Sequence, residues 1–303
     1  MSRCCFCAEV IENGNSIHPT CARKLFDLNT MPSIDISLQD VPTKAQEMAG
    51  KLSISGVQIK LSVTLDKKKK QLIITAKNGE YILKPQTNAF IQMPENENLC
   101  MSIAGQLGID VPPHALIRLK DSSYAYIVKR FDKKNGDKLL QEDFCQILEK
   151  PTKEKYNSSI EHIARKLRGI SEVPSLDIQY LYERVLFFFI IGNGDSHLKN
   201  FSINYSNRDD IRLSPAYDIV SSKLVIPKEE DFALTINGKK NRLSIDDFLV
   251  FANLFNIPEK ITTNILNKKE LIIALIKDSQ LDSKYRESLI KIVLERFSRL
   301  GVK

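Results

Sequence analysis

The sequence predicts an α+β protein with two lobes, in which a β-rich first lobe precedes a mainly helical second lobe. Apolar residues alternate in short segments between residues 57 and 131, as they do in half-buried strands. From residue 142 onward they recur mostly at helical spacing. The chain has 303 residues, 43% of them hydrophobic, which is enough to bury the cores of two lobes.

The first lobe is predicted to span residues 27–131 and to begin with an irregular connector at 29–43. The lysines at 67–70 are expected at the exposed tip of a hairpin, and Asn78-Gly79 indicates a second hairpin turn. The predicted strands are residues 57–65, 71–77, 80–85, 114–119 and 124–131, and one predicted helix covers 95–108.

The second lobe is predicted to span residues 132–303 and to be helical apart from two short strands at 201–205 and 211–214. Its most apolar segment, VLFFFII, ends at Gly192-Asn193-Gly194 and is followed by the polar run DSHLKN. The predicted helices are residues 142–150, 158–169, 178–191, 244–255, 259–276 and 283–300.

The charge and hydropathy of the chain indicate which partners and which cellular location to expect. A net charge of +7 favours anionic partners such as nucleotides or RNA-binding proteins without deciding between them. The longest apolar run, Val185 to Ile191, is far shorter than the roughly 20 residues of a membrane span. The opening Met-Ser-Arg-Cys-Cys leads into no apolar segment, so we expect a cytoplasmic protein, with export lacking a standard signal as the alternative.

The polar run after the apolar helix has the groups that phosphoryl transfer from ATP needs. Asp195 and Asn200 lie in one tight loop, and Asp218 follows the two short strands that return the chain. One carboxylate can accept the proton of an attacking hydroxyl, while an amide and a second carboxylate hold Mg²⁺. The alternative is a glycine-rich helix exit in which Asp195 is only a turn residue, because Asp-x4-Asn also occurs by chance.

Other parts of a kinase site are present elsewhere. Lys84 lies at the centre of the strand YILKP, where a lysine can hold the α- and β-phosphates, and Glu97 or Glu95 on the next helix can pair with it. The passage YIVKRFD, which ends at Asp132, is the expected adenine contact. The turn SISG at 53–56 could cover the phosphates, although Gly56 is its one glycine.

In this order, SISGVQIKLSV, YILKP, NENLCMSIAGQLGIDVPPHALI, YIVKRFD, NGDSHLKNFS and PAYDIVS resemble the HipA family of bacterial serine/threonine kinases. The resemblance covers about residues 50 to 225 and implies a bilobal protein-kinase-like fold. Only about 50 residues precede the SISG turn, so the chain is most similar to the short branch of the family, called HipT.

The resemblance implies a role for each matching residue. Asp195 corresponds to the catalytic aspartate, Asn200 and Asp218 to the magnesium ligands, and Lys84 to the phosphate-binding lysine. His197 follows the catalytic acid instead of preceding it, so we interpret it as a positioning residue. The ATP-binding set implied by the family is Ser55, Gly56, Val57, Gln58, Lys60, Lys84, Val128, Lys129, Arg130, His197, Lys199, Asn200 and Asp218.

In the short branch the two serines of Ser-Ile-Ser are autophosphorylation sites, which would make Ser53 and Ser55 the regulatory pair. A phosphate there adds about two negative charges near the γ-phosphate and is expected to lower activity. The alternative is that both serines only stabilise a turn.

The family also implies a physiological role. Its members are toxins of toxin–antitoxin systems that phosphorylate aminoacyl-tRNA synthetases and so halt translation. Expected partners are a helix-turn-helix antitoxin, through which DNA would be contacted indirectly, and a small separate protein equivalent to the N-terminal subdomain of longer members.

Two alternatives to this function remain open. One is a small-molecule kinase of the aminoglycoside type, which shares Asp-x4-Asn but lacks the Ser-Ile-Ser-Gly loop. The other is a catalytically silent binding module of a repressor complex. The joint presence of Lys84, Asp195, Asn200 and Asp218 favours an active enzyme.

The first 26 residues form a cysteine-rich segment, here called the knuckle. Cys4-x2-Cys7 and His18-x2-Cys21 offer three sulfurs and one nitrogen, enough for a closed tetrahedral zinc site of structural type. A cluster of reduced thiols without metal is the alternative. Cys100 and Cys145 are expected to be buried, inert thiols.

Overall fold

The computed structural model describes residues 2–11, 16–49, 58–134, 137–205 and 210–302. The chain divides into two compact units. The first consists of Met1–Ser102, Pro112–Asp137 and Asp278–Leu281, and the second of Ile103–Val111, Lys138–Lys277 and Asp282–Lys303. This division runs near the lobe boundary expected at 131/132, but it exchanges two segments between the units.

The described residues form strands in the first half of the chain and mostly helices in the second. The strands are β1 Ser2–Arg3, β2 Val10–Ile11, β3 Ser33–Ile34, β4 Leu61–Asp66, β5 Gln71–Ile74, β6 Tyr81–Pro85, β7 His114–Arg118, β8 Tyr124–Lys129, β9 Lys133–Lys134, β10 Asp137–Lys138, β11 Leu140–Asp143, β12 Ser202–Tyr205 and β13 Ile211–Leu213. The helices are α1 Pro19–Phe26, α2 Val41–Ala49, α3 Met93–Gln106, α4 Phe144–Ile147, α5 Ile160–Ile170, α6 Pro174–Ile191, α7 Ile245–Leu254, α8 Glu259–Leu266, α9 Lys269–Lys277 and α10 Ser283–Arg299. The predicted α+β class is confirmed.

The first unit is built on a six-stranded sheet in the order β3-β5-β4-β6-β8-β7. β3 pairs parallel with β5, and the other neighbours pair antiparallel. The lysines at 67–70 form the exposed turn between β4 and β5, as predicted.

The second predicted hairpin, at Asn78-Gly79, is wrong, because β5 and β6 are not neighbours and both pair with β4. Between β5 and β6 the chain instead crosses over β4, from one side of this strand to the other. A Cβ on Gly79 would lie 2.7 Å from the backbone nitrogen of Val63 and closer still to Ser62. The glycine therefore serves a close approach between backbones rather than a tight reversal.

Three further segments differ in kind or continuity from the sequence predictions, while other element ends shift by a few residues. The connector at 29–43 is not irregular throughout, since it contains β3 and the start of α2. The predicted helix at 142–150 shortens to α4, because Asp143 caps it directly after β11. The predicted helix at 259–276 is broken into α8 and α9 around Asn267, which ends the first of them.

The knuckle shares the hydrophobic core of the sheet. Cys4, Cys5 and Phe26 are buried in the same cluster as Val63 and Leu83 of the central strands. Because this core is continuous, the knuckle folds against the first unit and is part of it.

In the second unit the core surrounds α6. Twelve of its residues are buried, including the whole run from Val185 to Ile191. This makes α6 a rigid base for the loop that follows it. Within the described part of the chain, no helix has the length and apolar character that crossing a membrane requires.

Candidate active site

In the first unit, Lys84 and Glu97 form a buried ion pair. Lys84 is in β6 and Glu97 in the first turns of α3, and their Nζ and Oε1 atoms are 2.5 Å apart. The side chains are 4% and 1% exposed, and the Lys84 ammonium also lies 5.5 Å from the ring centre of Tyr126. Removing two charges from water is costly unless they are paired, so the pair holds both groups in place. Of the two acids considered for this lysine, the structure pairs it with Glu97.

The expected adenine contacts lie at the end of β8. Val128 is buried and pairs with Ile82 of β6, while Lys129 donates its backbone N–H to the carbonyl of Pro113. The Arg130 guanidinium is held by both carboxylate oxygens of Asp132 at 2.9 and 2.5 Å. The Arg130 side chain therefore binds Asp132, two positions further along the chain.

Part of the expected nucleotide-covering loop lies outside the described residues, namely Ser53, Ser55, Gly56 and Val57. Gln58 is half-buried and Lys60 exposed, directly before β4.

In the second unit, the candidate catalytic loop begins where α6 ends. Gly192 takes the left-handed conformation (φ +69°) that closes the helix and turns the chain. Gly194 then passes so close to the 229–230 segment that a Cβ would lie 2.5 Å from the Glu230 carbonyl. Its N–H donates to Ser222 Oγ at 2.8 Å. The two glycines thus press the loop against the body of the unit directly before Asp195.

Asp195 is exposed, whereas the residues after it fold back on themselves. The backbone N–H of His197 donates to Oδ1 of Asn200 at 3.0 Å and to the Asp195 carbonyl at 2.8 Å. The Asn200 amide oxygen has two lone pairs and uses one of them here. The loop therefore presents an exposed carboxylate beside an amide oxygen whose orientation is fixed.

Two residues that the sequence analysis did not single out contact this loop. The Tyr156 hydroxyl donates to Oδ1 of Asp195 at 2.7 Å, and Lys155 Nζ lies 2.8 Å from His197 Nε2. The Tyr156 ring also meets the His197 ring edge-on, with centres 5.3 Å apart. They lie 39 and 42 positions from their partners in a stretch without a motif, so spacing gives no signal for them.

Asp218 is placed by a strained backbone and by a link to the loop. Its φ of +54° is in the left-handed region that non-glycine residues seldom adopt. The hydroxyl of its neighbour Tyr217 donates to the carbonyl of Lys199 at 2.9 Å, next to Asn200. The Lys199 ammonium itself pairs with Asp143 at 2.5 Å.

The charges of both candidate acids, Asp195 and Asp218, affect the pKa of His197. Burial, and then the charge of Lys155, lower the pKa of His197, while Asp195 and Asp218 act in the opposite direction. A neutral imidazole can accept the Lys155 hydrogen bond at Nε2. Burial and the bond to Asp195 raise the pKa of Tyr156, so its phenol stays protonated as a donor.

This set of oxygen donors suits a hard cation. Mg²⁺ prefers carboxylate and amide oxygens and takes only one or two of them from protein. Asn200 retains a second lone pair on its oriented oxygen, and Asp218 supplies a carboxylate on the linked segment. The residues present therefore fit the metal that ATP-dependent phosphoryl transfer requires.

Comparison with solved structures places the fold in a known class. The chain superposes with a TM-score of 0.67 on the chain of a Shewanella oneidensis structure described as the HipA, HipB and operator DNA complex of a toxin–antitoxin system. The match covers 83% of this chain and 66% of the other at 22% identity, so it speaks for the fold alone. The bilobal kinase-like class predicted from the sequence is confirmed.

The chain belongs to the HipA-like C-terminal domain family, whose sequence profile matches residues 52–275. The protein Y4dM of Sinorhizobium fredii is named provisionally as a kinase. It is 33% identical to this chain over 234 residues, and the match covers 72% of this chain and 57% of Y4dM. The serine/threonine-protein kinase toxin HipA of Shewanella oneidensis is 25% identical over 216 residues, covering 64% and 49%. The chain thus spans about half to three fifths of these two relatives, and it is kinase-like by homology.

Proposed function

We propose that this protein is an ATP- and Mg²⁺-dependent serine/threonine kinase of the short HipT branch. The observation that carries the proposal is the Lys84–Glu97 pair, buried in the first unit with its two charges 2.5 Å apart. Kinases need this pair to hold the α- and β-phosphates of ATP. A buried ion pair is seldom favoured over apolar packing for stability alone, so its presence supports a function.

The second unit supplies the other groups that the reaction needs. Asp195 accepts the proton of the substrate hydroxyl. At the same time the hydroxyl oxygen bonds to the γ-phosphorus, and the bond between the γ-phosphorus and the ADP oxygen breaks. Tyr156 holds one carboxylate oxygen, which leaves the other for that proton. Asn200 and Asp218 hold Mg²⁺, which neutralises phosphate charge when bound.

We further propose that the enzyme acts as a toxin, in keeping with the name of its HipA relative. Its substrate would be an aminoacyl-tRNA synthetase and its partners a helix-turn-helix antitoxin and a small separate N-subdomain protein. Self-modification at Ser53 or Ser55 would restrain it, because a phosphate beside the γ-phosphate site repels ATP.

Intact-mass spectrometry after incubation with Mg-ATP tests the kinase proposal. Phosphatase-treated wild type is compared with Asp195→Asn, and any gain is located by peptide mapping. We expect one or two phosphates on Ser53 or Ser55 in the wild type and none in the variant. If phosphatase-treated wild type gains no mass and also transfers no phosphate to purified synthetases, the proposal is overturned.

A further inference from the structure

The described part of the knuckle brings four ligand side chains to one point. We propose that Cys4, Cys7, His18 and Cys21 bind one structural Zn²⁺ ion. Their three sulfurs and one ring nitrogen all lie within 4.8 Å of one another. All six cysteines of the chain are free thiols, so no disulfide competes for these sulfurs.

The distances between the ligand atoms suit a tetrahedral centre. With Zn–S bonds of about 2.3 Å and a Zn–N bond of about 2.0 Å, a sulfur and a nitrogen on the same ion are roughly 3.5 Å apart. Nδ1 of His18 lies 3.4 Å from Cys7 Sγ and 3.9 Å from Cys21 Sγ. Small movements of the side chains would therefore complete the coordination.

The imidazole of His18 is oriented as a metal ligand. Its Nε2 lies 3.1 Å from the carbonyl of Val10, an acceptor, so this nitrogen carries the hydrogen. That tautomer leaves a lone pair on Nδ1, which faces the sulfurs. A backbone carbonyl on the second ring nitrogen is the usual support of a metal-bound histidine.

The backbone on both sides is also prepared for the ion. Ala8, directly after Cys7, has a φ of +59° and donates its N–H to the Cys4 carbonyl at 2.9 Å, which closes a tight turn around the first cysteine pair. His18 occupies the N-cap position of α1, with its side chain not used for capping, and Cys21 is in the first turn of this helix. The backbone N–H of His18 lies 3.4 Å from Cys4 Sγ, where it can stabilise a thiolate.

The donor set selects the metal. Three thiolates and one imidazole favour Zn²⁺ over the hard cations Mg²⁺ and Ca²⁺, which take oxygen ligands. All three cysteines bind as thiolates, so the centre carries a net charge of −1. Because the protein supplies all four ligands, no position remains for substrate or water and the role is structural.

The packing of the knuckle shows what the ion would stabilise. The ring of Phe6, between Cys4 and Cys7, stacks on His114 of β7 with centres 5.7 Å apart. The Phe6 carbonyl accepts a bond from Ser102 of α3 at 3.2 Å, and the Cys5 carbonyl one from Leu116 of β7 at 3.4 Å. Zinc would thus fix the segment that covers one end of the sheet and contacts the helix carrying Glu97.

Metal analysis of the full-length protein tests the site. We expect about one zinc per chain by plasma mass spectrometry after expression with zinc and gel filtration without chelator. His18→Gln and Cys21→Ser should each lose most of this zinc and unfold at a lower temperature. Cys145→Ser, which removes a buried thiol in the second unit, should keep one zinc and is the matched control.

A spectroscopic arm keeps the test decisive if a variant fails to fold. Chelator-treated wild type titrated with Co²⁺ should show the thiolate charge-transfer and tetrahedral d–d bands of one bound ion, and Zn²⁺ should displace it. Zinc-free wild type that gives no such bands, or His18→Gln that retains zinc equal to Cys145→Ser, would overturn the proposal. The knuckle would then be a cluster of reduced thiols.

Discussion

The Tyr156 hydroxyl lies 2.7 Å from Oδ1 of Asp195 and donates a hydrogen bond to the carboxylate proposed as the catalytic base. The tyrosine ring rests edge-on against His197, and the Lys155 ammonium lies 4.9 Å from the centre of the same ring. The segment before α5 therefore determines where the one exposed acid of the loop points.

Replacing Tyr156 by Phe removes this hydrogen bond and keeps the ring. A bond to a charged group contributes about 1.5 kcal/mol or more, so we expect kcat to fall about tenfold if the bond orients Asp195. The KM for ATP should change little, because Tyr156 has no proposed contact with the nucleotide. Steady-state kinetics would show this.

Tyr285→Phe is the matched control, since it removes a phenol on α10, outside the loop. A kcat equal to wild type in Tyr156→Phe would show that the bond does not orient the base. A higher kcat would show that the phenol instead competes with the substrate hydroxyl.

The Lys84–Glu97 pair allows stability and activity to be separated. Lys84→Met or Glu97→Gln alone removes one charge of this close buried contact, which should cost about 3 kcal/mol of unfolding free energy. The double variant removes both charges at similar volume and should recover most of that loss. Kinase activity should stay lost in all three variants, because the phosphates still need the lysine.

Urea unfolding and phosphate transfer measured on the four proteins complete a double-mutant cycle. Full activity in the double variant would show that the pair is structural only. Additive losses of stability would show that the two charges do not interact.

Much of this arrangement could be predicted from the sequence because it is local. Asp195, Asn200 and Lys84 lie in short segments whose hydropathy defines their elements, and the strand-to-helix change defines the two lobes. Tyr156 and Lys155 could not be found in this way, since a contact over 39 or 42 positions depends on tertiary packing. The false hairpin at Asn78-Gly79 has a similar cause, because a crossing over β4 and a tight reversal use the same residues.

The free energy of unfolding of the second unit should fall at low pH, because Asp231 becomes protonated there. Burial opposes ionisation of this carboxyl, but the Arg299 hydrogen bond and the Arg296 charge outweigh it and lower its pKa to about 2. Its distances to these guanidinium groups are 2.5 and 2.7 Å. Because the folded-state pKa is below the unfolded value of about 4, the stabilisation is complete above pH 4 and lost as pH falls through 2.

We expect about 2 kcal/mol of unfolding free energy to disappear between pH 4 and pH 2 from this group. Asp231→Asn should be less stable than wild type at pH 7, and the gap should narrow by that amount near pH 2, as measured by urea unfolding. Asp246→Asn, at an exposed position of α7, is the control and should unfold as wild type does. A gap that stays constant with pH would contradict the assignment.

The glycine before the proposed catalytic aspartate and a second glycine on α5 allow two substitutions whose effects on stability should have opposite signs. In Gly194→Ala the new methyl group would lie 2.5 Å from the Glu230 carbonyl, so the loop must shift away from the 229–230 segment. We expect a loss of about 1–3 kcal/mol in stability and at least a hundredfold loss of kcat, because a displacement of about 1 Å at a catalytic group has that effect.

In Gly169→Ala, by contrast, the methyl group meets no atom within 4 Å on helix α5. That variant should gain up to about 1 kcal/mol from helix propensity and retain full activity. Urea unfolding and kinetics of both variants decide the matter, and a fully active Gly194→Ala would show that the position of Asp195 does not depend on this close approach.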